Sequence, residues 1–279
     1  MDITSVTSYR PARARGDLRL AGGETFLAGG TWLMSEPQPG TTGFVDLTTM
    51  DWPALEITGE GLRIGATCTI AHLVAWAEGR SGPGVPATWA AASVIPDAAN
   101  ALLASFKIWN TATVGGNVCR SFAAGAMISL AVALDGTAEV WTAGGGKYTV
   151  PVADLITGNG ENSLRRGEVL RAVDLPEHAM RSRVLLRKIA LAEHGRSGAV
   201  VTGRIDVDGE CVVTVTAATQ RPVVFRFPQV PDAALLAEVI EGAPGYYSDA
   251  LGAADWRRGV SVVLAERIRG ELAAEGAAG

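Results

Sequence analysis

The chain has 279 residues, of which 48% are hydrophobic and 19% charged, so it is long and apolar enough to bury a substantial core. Its formal net charge of −5 argues against nucleic acid as the main partner, because phosphate binding favours a basic face. Cys68, Cys119 and Cys211 lie far apart and form no C-x-x-C pair. This spacing argues against a disulfide framework, an iron–sulfur cluster and a zinc site within the chain.

The cysteines, the N-terminus and the longest apolar stretch together indicate the cellular compartment of the protein. Unpaired thiols are typical of a reducing cytoplasm. The start at Met1 shows neither a basic region nor an apolar region of the kind found in signal peptides. The longest nearly apolar stretch, residues 122–134, is shorter than the ~20 residues that a membrane helix needs. We therefore expect a cytoplasmic protein without a membrane span.

The first 55 residues predict a small β-α-β unit. Residues 24–28 have the pattern of a short strand that ends in Gly29-Gly30-Thr31. Trp32 is expected to start a short helical turn with Thr31 as its N-cap. Residues 44–47 predict a second buried strand.

Residues 56–176 predict a mixed middle region. A strand over 62–66 is followed by a helix over 70–77, for which Thr69 is a suitable N-cap. A second helix over 89–104 should bend or restart at Pro96. A loop with paired glycines then precedes a buried helix that ends near Leu134. Two hairpin strands follow, at 138–141 and 148–150.

Beyond a plausible boundary near Pro176, the pattern predicts an antiparallel sheet closed by helices. Three successive strands are expected, at 184–190, 200–207 and 211–219, with Asp208-Gly209 as the turn between the last two. Two helices close the chain. The last of them carries an apolar stripe at helical spacing that predicts core packing: Trp256, Val260, Val263, Leu264, Ile268 and Leu272.

Two loops with paired glycines carry the chemical argument. They are Ala28-Gly29-Gly30-Thr31-Trp32 and Thr113-Val114-Gly115-Gly116-Asn117, and each precedes a segment of helical pattern. Without Cβ atoms, successive backbone amides can point into one concavity and bind a phosphate. A lone Gly-Gly-Thr is more often an ordinary turn. The chain has no G-x-G-x-x-G motif after a strand, which disfavours a Rossmann fold, and it has no P-loop lysine.

The two loops together resemble those of the FAD-binding subunit of the xanthine dehydrogenase and carbon monoxide dehydrogenase family. The signatures are Leu27-Ala28-Gly29-Gly30-Thr31 and Asn110-Thr111-Ala112-Thr113-Val114-Gly115-Gly116-Asn117. Weaker similarities are Leu62-Arg63-Ile64-Gly65-Ala66-Thr67, Gly167-Glu168-Val169-Leu170 and Arg187-Lys188-Ile189. The order and spacing hold from about residue 9 to residue 272.

The resemblance implies an α+β protein with the FAD-binding fold of the vanillyl-alcohol-oxidase type. It implies an N-terminal FAD-binding sub-domain over 1–55, a middle FAD-binding sub-domain over 56–176, and a C-terminal domain over 177–279 with a three-stranded antiparallel sheet and helices. The first glycine loop holds no histidine, so we expect non-covalent FAD. The residues expected to contact FAD are Leu27, Ala28, Gly29, Gly30, Thr31, Trp32, Thr113, Val114, Gly115, Gly116, Asn117, Ser121, Gly125, Val169, Leu170 and Lys188.

The resemblance also implies partners and a reaction. Substrate is oxidised at a molybdenum cofactor on a large subunit, and electrons pass through iron–sulfur clusters on a small subunit to FAD, which reduces a final acceptor. No residue of this chain is expected to act as a general acid or base. For Val169 and Leu170 the alternative is ordinary strand packing, and for Lys188 it is a solvated surface position.

Departures from the family pattern keep other hypotheses open. Trp32 stands where a small polar residue is usual, and the run Ser121-Phe122-Ala123-Ala124-Gly125 replaces Ser-Pro followed by an aspartate. Trp109 and Arg196 stand where arginine and aspartate are common. A degenerate structural subunit that binds FAD weakly is one alternative. A stand-alone small-molecule binding module and a stand-alone FAD enzyme are two others.

Overall fold

A computed structural model describes residues 4–102, 104–192 and 195–276 of the protein. The outer ends of the first and last predicted domains, at 1–3 and 277–279, lie outside the described residues. So does position 103, within the second predicted helix. Runs of strands and runs of helices follow one another along the chain, which confirms the α+β class.

The N-terminal unit is a three-stranded parallel sheet. Its spatial order is β1-β3-β2. The strands are β1 (Ser8–Pro11), β2 (Glu24–Leu27) and β3 (Gly43–Asp46). The helical turn predicted at Trp32 is present, since the amides of Met34 and Glu36 donate to the carbonyls of Gly30 and Trp32 at 2.8 and 3.2 Å, but it does not extend into a regular helix. Gly30 adopts a left-handed φ of 68°, and Pro37 has no amide with which to extend a helix.

The middle region is built on a five-stranded antiparallel sheet of order β4-β5-β10-β6-β7. The strands are β4 (Leu55–Thr58), β5 (Gly61–Gly65), β6 (Thr137–Trp141), β7 (Lys147–Pro151) and β10 (Val169–Pro176). The register between β10 and β6 shifts at Arg171, which makes a bulge. A two-stranded ribbon of β8 (Ile156–Gly158) and β9 (Glu161–Asn162) lies between β7 and β10 in sequence.

Short helices cover this sheet. They are α1 (Ile70–Ala77), α2 (Val94–Asn100), α3 (Phe106–Trp109), α4 (Val114–Arg120), α5 (Ala126–Ala133), α6 (Val152–Leu155) and α7 (Glu177–Arg181). Three 3-10 segments are Arg15–Leu18, Thr48–Met50 and Ala90–Ser93. Every residue of α5 is buried, which explains its uniform hydrophobicity.

Two of the predicted helices are divided. The predicted helix over 89–104 is a 3-10 segment followed by α2, and it ends at Asn100. The single buried helix predicted after the second glycine loop is interrupted at Ser121, which caps α4 in a left-handed conformation with φ 58°. The predicted cap at Thr69 is confirmed, because its hydroxyl accepts from the amide of His72 at 3.2 Å.

The C-terminal sheet has four antiparallel strands in consecutive order, so the predicted count of three is wrong. The strands are β11 (Arg183–Ile189), β12 (Ala199–Ile205), β13 (Cys211–Thr216) and β14 (Val223–Phe227). The missed strand, β14, forms one edge of the sheet and, among the described strands, pairs with β13 alone. Its first four residues are half-buried or exposed, so its pattern is weak.

Helices α8 (Ala233–Glu241) and α9 (Ala254–Gly276) pack against each other, and α9 packs on β12. Most of the predicted apolar stripe on α9 is buried or half-buried, but Val263 is half exposed and was wrongly assigned to the core. The domain boundaries at 55 and 176 stay a prediction.

One buried arginine ties α9 to the sheet. Arg257 has no exposed surface, and its guanidinium donates to the carbonyl oxygens of Gly198 and Ala217 at 2.7 and 2.6 Å. It also pairs with the carboxylate of Asp249 at 2.5 Å. A buried cation with this set of acceptors holds the helix and the ends of two strands in one arrangement.

Candidate functional site

The two glycine turns lie against each other. A Cβ atom added at Gly29 would lie 1.9 Å from the carbonyl oxygen of Thr111 and 3.1 Å from Cα of Ala112. Two stretches of backbone are therefore in contact where any other residue would force them apart. The structure brings together segments 82 positions apart in sequence, as a shared dinucleotide site requires.

The first turn, residues 28–33, offers a row of unused backbone donors. Leu27 closes the strand before it, since its carbonyl accepts from the amide of Leu47 at 2.8 Å. Within the part of the chain that the structure describes, no group accepts a hydrogen bond from the amides of residues 29–33. The left-handed φ of Gly30 bends this row, and each of these residues is partly exposed. Such a run of amides is the geometry of an anion-binding nest.

The second turn, residues 110–117, begins a helix. Thr113 is the N-cap of α4, and its hydroxyl accepts from the amide of Gly116 at 3.0 Å. Its carbonyl accepts from the amide of Asn117 at 2.9 Å. The side-chain oxygen of Asn117 in turn accepts from the amide of Met127 at the start of α5. The cap therefore consumes two of the amides that the sequence predicted as phosphate donors.

The remaining amides of the second turn are also paired. Those of Val114 and Gly115 donate to the carbonyls of Cys68 and Ala66 at 2.8 and 2.9 Å. A Cβ at Gly115 would lie 2.5 Å from the Cβ of Ala66, so this glycine permits close packing on the segment after β5. The amides of residues 114–117 are thus unavailable as a nest, which corrects the prediction for them. The second turn is held rigidly by these hydrogen bonds, and Gly29 packs against its backbone at Thr111 and Ala112.

Two further predicted contacts are inside the protein. Ser121 has no exposed surface. Its hydroxyl donates to the carbonyl of Val118 and accepts from the side-chain amide of Asn162, both at 2.9 Å. Gly125 is buried at the N-cap of α5, where a Cβ would lie 2.6 Å from the side chain of Ile128. Burial and internal contacts make both residues supports of the α4–α5 corner, and their contact with FAD stays a prediction.

A residue that the sequence analysis missed lies beside the first turn. The guanidinium carbon of Arg120 lies 3.9 Å from the ring centroid of Trp32 and 3.8 Å from that of Phe122. The two rings meet edge to face at 6.4 Å. The guanidinium carbon of Arg196 also lies near this cluster, 5.6 Å from the ring centroid of Phe122. Burial lowers the pKa of Arg120, and the charge of Glu36 partly opposes that effect. The signal for this cluster was the pair of departures from the family pattern, Trp32 at a usually polar position and Phe122 in the run that replaces Ser-Pro.

Comparison with known families decides the assignment. A sequence model described as the FAD binding domain in molybdopterin dehydrogenase matches residues 9–178. The chain belongs to this FAD-binding family. The match includes both glycine turns and the strands that carry them, so FAD is the cofactor that the fold is built to hold. No curated protein matches the chain in sequence.

Solved structures extend the FAD-binding family's fold over nearly the whole chain. The chain is similar to quinoline 2-oxidoreductase from Pseudomonas putida 86, with a TM-score of 0.79 and 20% identity over 97% of each chain. It is similar to carbon monoxide dehydrogenase from Hydrogenophaga pseudoflava that lacks the Mo-pyranopterin moiety of the molybdenum cofactor (TM-score 0.76, 16% identity, 94% of this chain and 95% of that one). Reconstituted CO dehydrogenase from Oligotropha carboxidovorans gives a TM-score of 0.77 at 18% identity, with the same coverage. These similarities confirm the predicted fold.

The residues predicted near the flavin ring are not gathered at the turns of this FAD-binding domain. Val169 and Leu170 are each 3% exposed and lie opposite Trp141 and Val140 in the sheet. Such burial is what strand packing produces, and their contact with the ring stays a prediction. Lys188 donates through its ammonium to the carbonyl of Asn100 at 2.7 Å, so it lies at the end of α2.

Cavities elsewhere on the described surface are separate from the two turns. Two cavities of about 500 and 570 Å³ lie away from the turns, one beside Phe227 and Leu235 and the other beside Asp154 and Arg226. Among the described residues, no group of three or more histidine, cysteine or acidic side chains is arranged to hold a metal ion. No described helix is both long and apolar enough to cross a membrane.

Proposed function

We propose that this chain is the FAD-carrying electron-transfer subunit of a molybdenum-containing hydroxylase or dehydrogenase. It receives electrons from iron–sulfur clusters of a partner subunit and delivers them through FAD to a final acceptor. The observation that carries the proposal is the contact between Gly29 and Thr111, which aligns two glycine turns beside a row of free amides. This cradle fits the diphosphate of a dinucleotide.

The chain's own residues bind and orient the cofactor. The amides of residues 29–33 hold the diphosphate, and Ala28 and Thr31 line the same turn. The second turn contributes its exposed edge at Gly116 and the side chain of Asn117. FAD, when bound, supplies the redox chemistry, and no side chain needs to act as acid or base. The three-part division at residues 55 and 176 belongs to this proposal.

The division of labour among subunits draws support from the cysteines. Cys68, Cys119 and Cys211 are free thiols, and burial raises the pKa of each, to about 12, 12 and 11. Metal ligation needs thiolates, so these positions are poorly suited to an iron–sulfur cluster. The clusters belong to a small partner subunit and the molybdopterin to a large one. Free thiols also favour the cytoplasm.

A second candidate is a degenerate structural subunit of the same assembly. The observation that favours it is the aromatic ring of Trp32, a bulky side chain of the first turn that is stacked on Arg120. If that ring blocks the diphosphate, the fold and its partners remain while FAD affinity falls.

Purification of the chain, alone and from its native cell, tests the proposal. We expect flavin absorbance at about one FAD per chain, and release of that flavin by heat or acid because it is not covalently attached. From the native cell we expect two partner chains together with molybdenum and iron. Colourless protein in the same complex would favour the degenerate subunit. Colourless, partner-free protein would contradict the proposal, and substrate turnover by the chain alone would replace it with a stand-alone FAD enzyme.

A further inference from the structure

Arg120 ends α4 at the point where that helix faces the first turn. Its guanidinium contacts two aromatic rings, one from the turn itself and one from the α4–α5 corner, at 3.9 and 3.8 Å. Aromatic contacts of this kind attract a cation through the ring faces and leave its N–H groups unused. The side chain is therefore fixed in place without using its hydrogen-bonding capacity.

The charge and the N–H groups of Arg120 have no acceptor among the described residues. Within the described ranges, the guanidinium of Arg120 makes no hydrogen bond and no ion pair, and its Nε is buried without an acceptor. Glu36 acts on it only through space. A partly buried cation with unused donors is costly unless an anion or another acceptor meets it, and a guanidinium fork matches phosphate oxygens in geometry.

Arg120 and the first turn are neighbours in the structure. Trp32 is the link, because its amide belongs to the unpaired row of residues 29–33 while its ring carries the guanidinium. We infer that Arg120 is a further ligand of the FAD diphosphate, and that it supplies the positive charge which neutral amides alone do not provide. This inference rests on the proposed function.

A role of Arg120 in blocking the site predicts the opposite change in ligand affinity. If the stack of Trp32, Arg120 and Phe122 were a plug over the turn, removal of the guanidinium would open the site and strengthen binding. If Arg120 binds phosphate, removal weakens binding of every diphosphate ligand and leaves a flavin without phosphate unaffected. The sign of the change in affinity therefore separates the two.

The test compares Arg120→Gln, Arg120→Lys and the full-length parent chain by titration with FAD, ADP and riboflavin. Arg267→Gln is the matched control, since Arg267 is exposed on α9. For Arg120→Gln we expect FAD and ADP affinities about 10- to 100-fold lower, which is the range of a charge-assisted hydrogen bond, and unchanged riboflavin affinity. Arg120→Lys keeps the charge without the fork, so its loss should be smaller. It also covers the case in which the glutamine variant fails to fold.

The outcomes keep this inference separate from the proposed function. FAD and ADP affinities in Arg120→Gln equal to those of the parent would overturn the inference while leaving FAD binding intact, and tighter binding would identify a plug. Binding of ADP that depends on Arg120, without binding of FAD, would support the diphosphate ligand and defeat the flavin function. A parent chain that binds neither FAD nor ADP would overturn both.

Discussion

Replacement of Gly29 by alanine tests whether the contact between the two turns builds the cofactor site. Gly29 does not have a left-handed φ, so alanine adds no backbone strain and acts only through its Cβ. That Cβ would lie 1.9 Å from the carbonyl oxygen of Thr111, and ordinary contacts start at 3.4 Å. The turns must therefore separate by about 1.5 Å, because the obstacle is backbone and cannot rotate away.

The size of the effect follows from where the strain is relieved. In the free protein the first turn can shift outward and avoid most of the clash. To bind the diphosphate, the first turn must move back to its original position against the second turn. The overpacking cost of about 1–3 kcal/mol is therefore subtracted from the binding free energy. We expect FAD affinity to fall about 5- to 150-fold. Fluorescence titration with FAD measures the affinity, and thermal unfolding with and without FAD measures the same loss through ligand stabilisation.

Gly22→Ala is the matched control, since Gly22 lies before the same strand, has no left-handed φ and has nothing within 4 Å of its added Cβ. It should bind FAD like the parent. If Gly29→Ala and Gly22→Ala bind FAD with equal affinity and unfold at the same temperature, the closeness of the turns does not matter for binding and the argument from geometry fails.

Three other perturbations probe the supports of the site and the fold. Gly115→Ala places a Cβ 2.5 Å from that of Ala66 and should lower the free energy of unfolding by about 1–3 kcal/mol in a urea titration; parent-like stability would contradict the packing described. The pKa of Glu24 is lowered from 4.5 to about 2, mainly by its hydrogen bond from Arg10, so their pair stabilises the protein fully above pH 4.5 and loses that contribution as pH falls towards 2. Because Arg10 is about a third exposed, we expect only about 1 kcal/mol, and Glu24→Gln should flatten this part of the stability profile. Arg257→Met removes a fully buried cation from two carbonyls and an aspartate, and should cost about 3–5 kcal/mol in the same urea assay; a loss under 1 kcal/mol would show that those acceptors find water instead.

Local signals in the sequence were sufficient for the elements that carry the turns. The strand before Gly29 and the capped helix after Thr69 depend on short-range patterns, namely alternation and a hydroxyl that accepts from the third residue on. The meeting of the two turns was predictable only as a requirement of the FAD hypothesis. Nothing local links Gly29 to Thr111.

The missed features depend on tertiary partners. The amides of Val114 and Gly115 donate to carbonyls nearly fifty residues earlier, and paired glycines in a sequence do not reveal whether their amides are already used. Arg120 gave no signal of its own, because one arginine at a helix end is usually solvated. Strand β14 was overlooked because an edge strand with few buried residues lacks a clear alternation.

The two glycine turns look alike in sequence and differ in what their glycines do. Gly30 gives the first turn its left-handed bend, and the amides around it remain free. In the second turn Gly115 permits close packing on Ala66, and the amides of residues 114–117 are consumed by that packing and by the cap of α4. A rigid second turn beside an open row of donors is a preorganised arrangement, since only the first turn offers free backbone amides in a row. In the proposed function, the first turn supplies neutral amides to the diphosphate, and the guanidinium of Arg120, stacked on Trp32, supplies positive charge beside them.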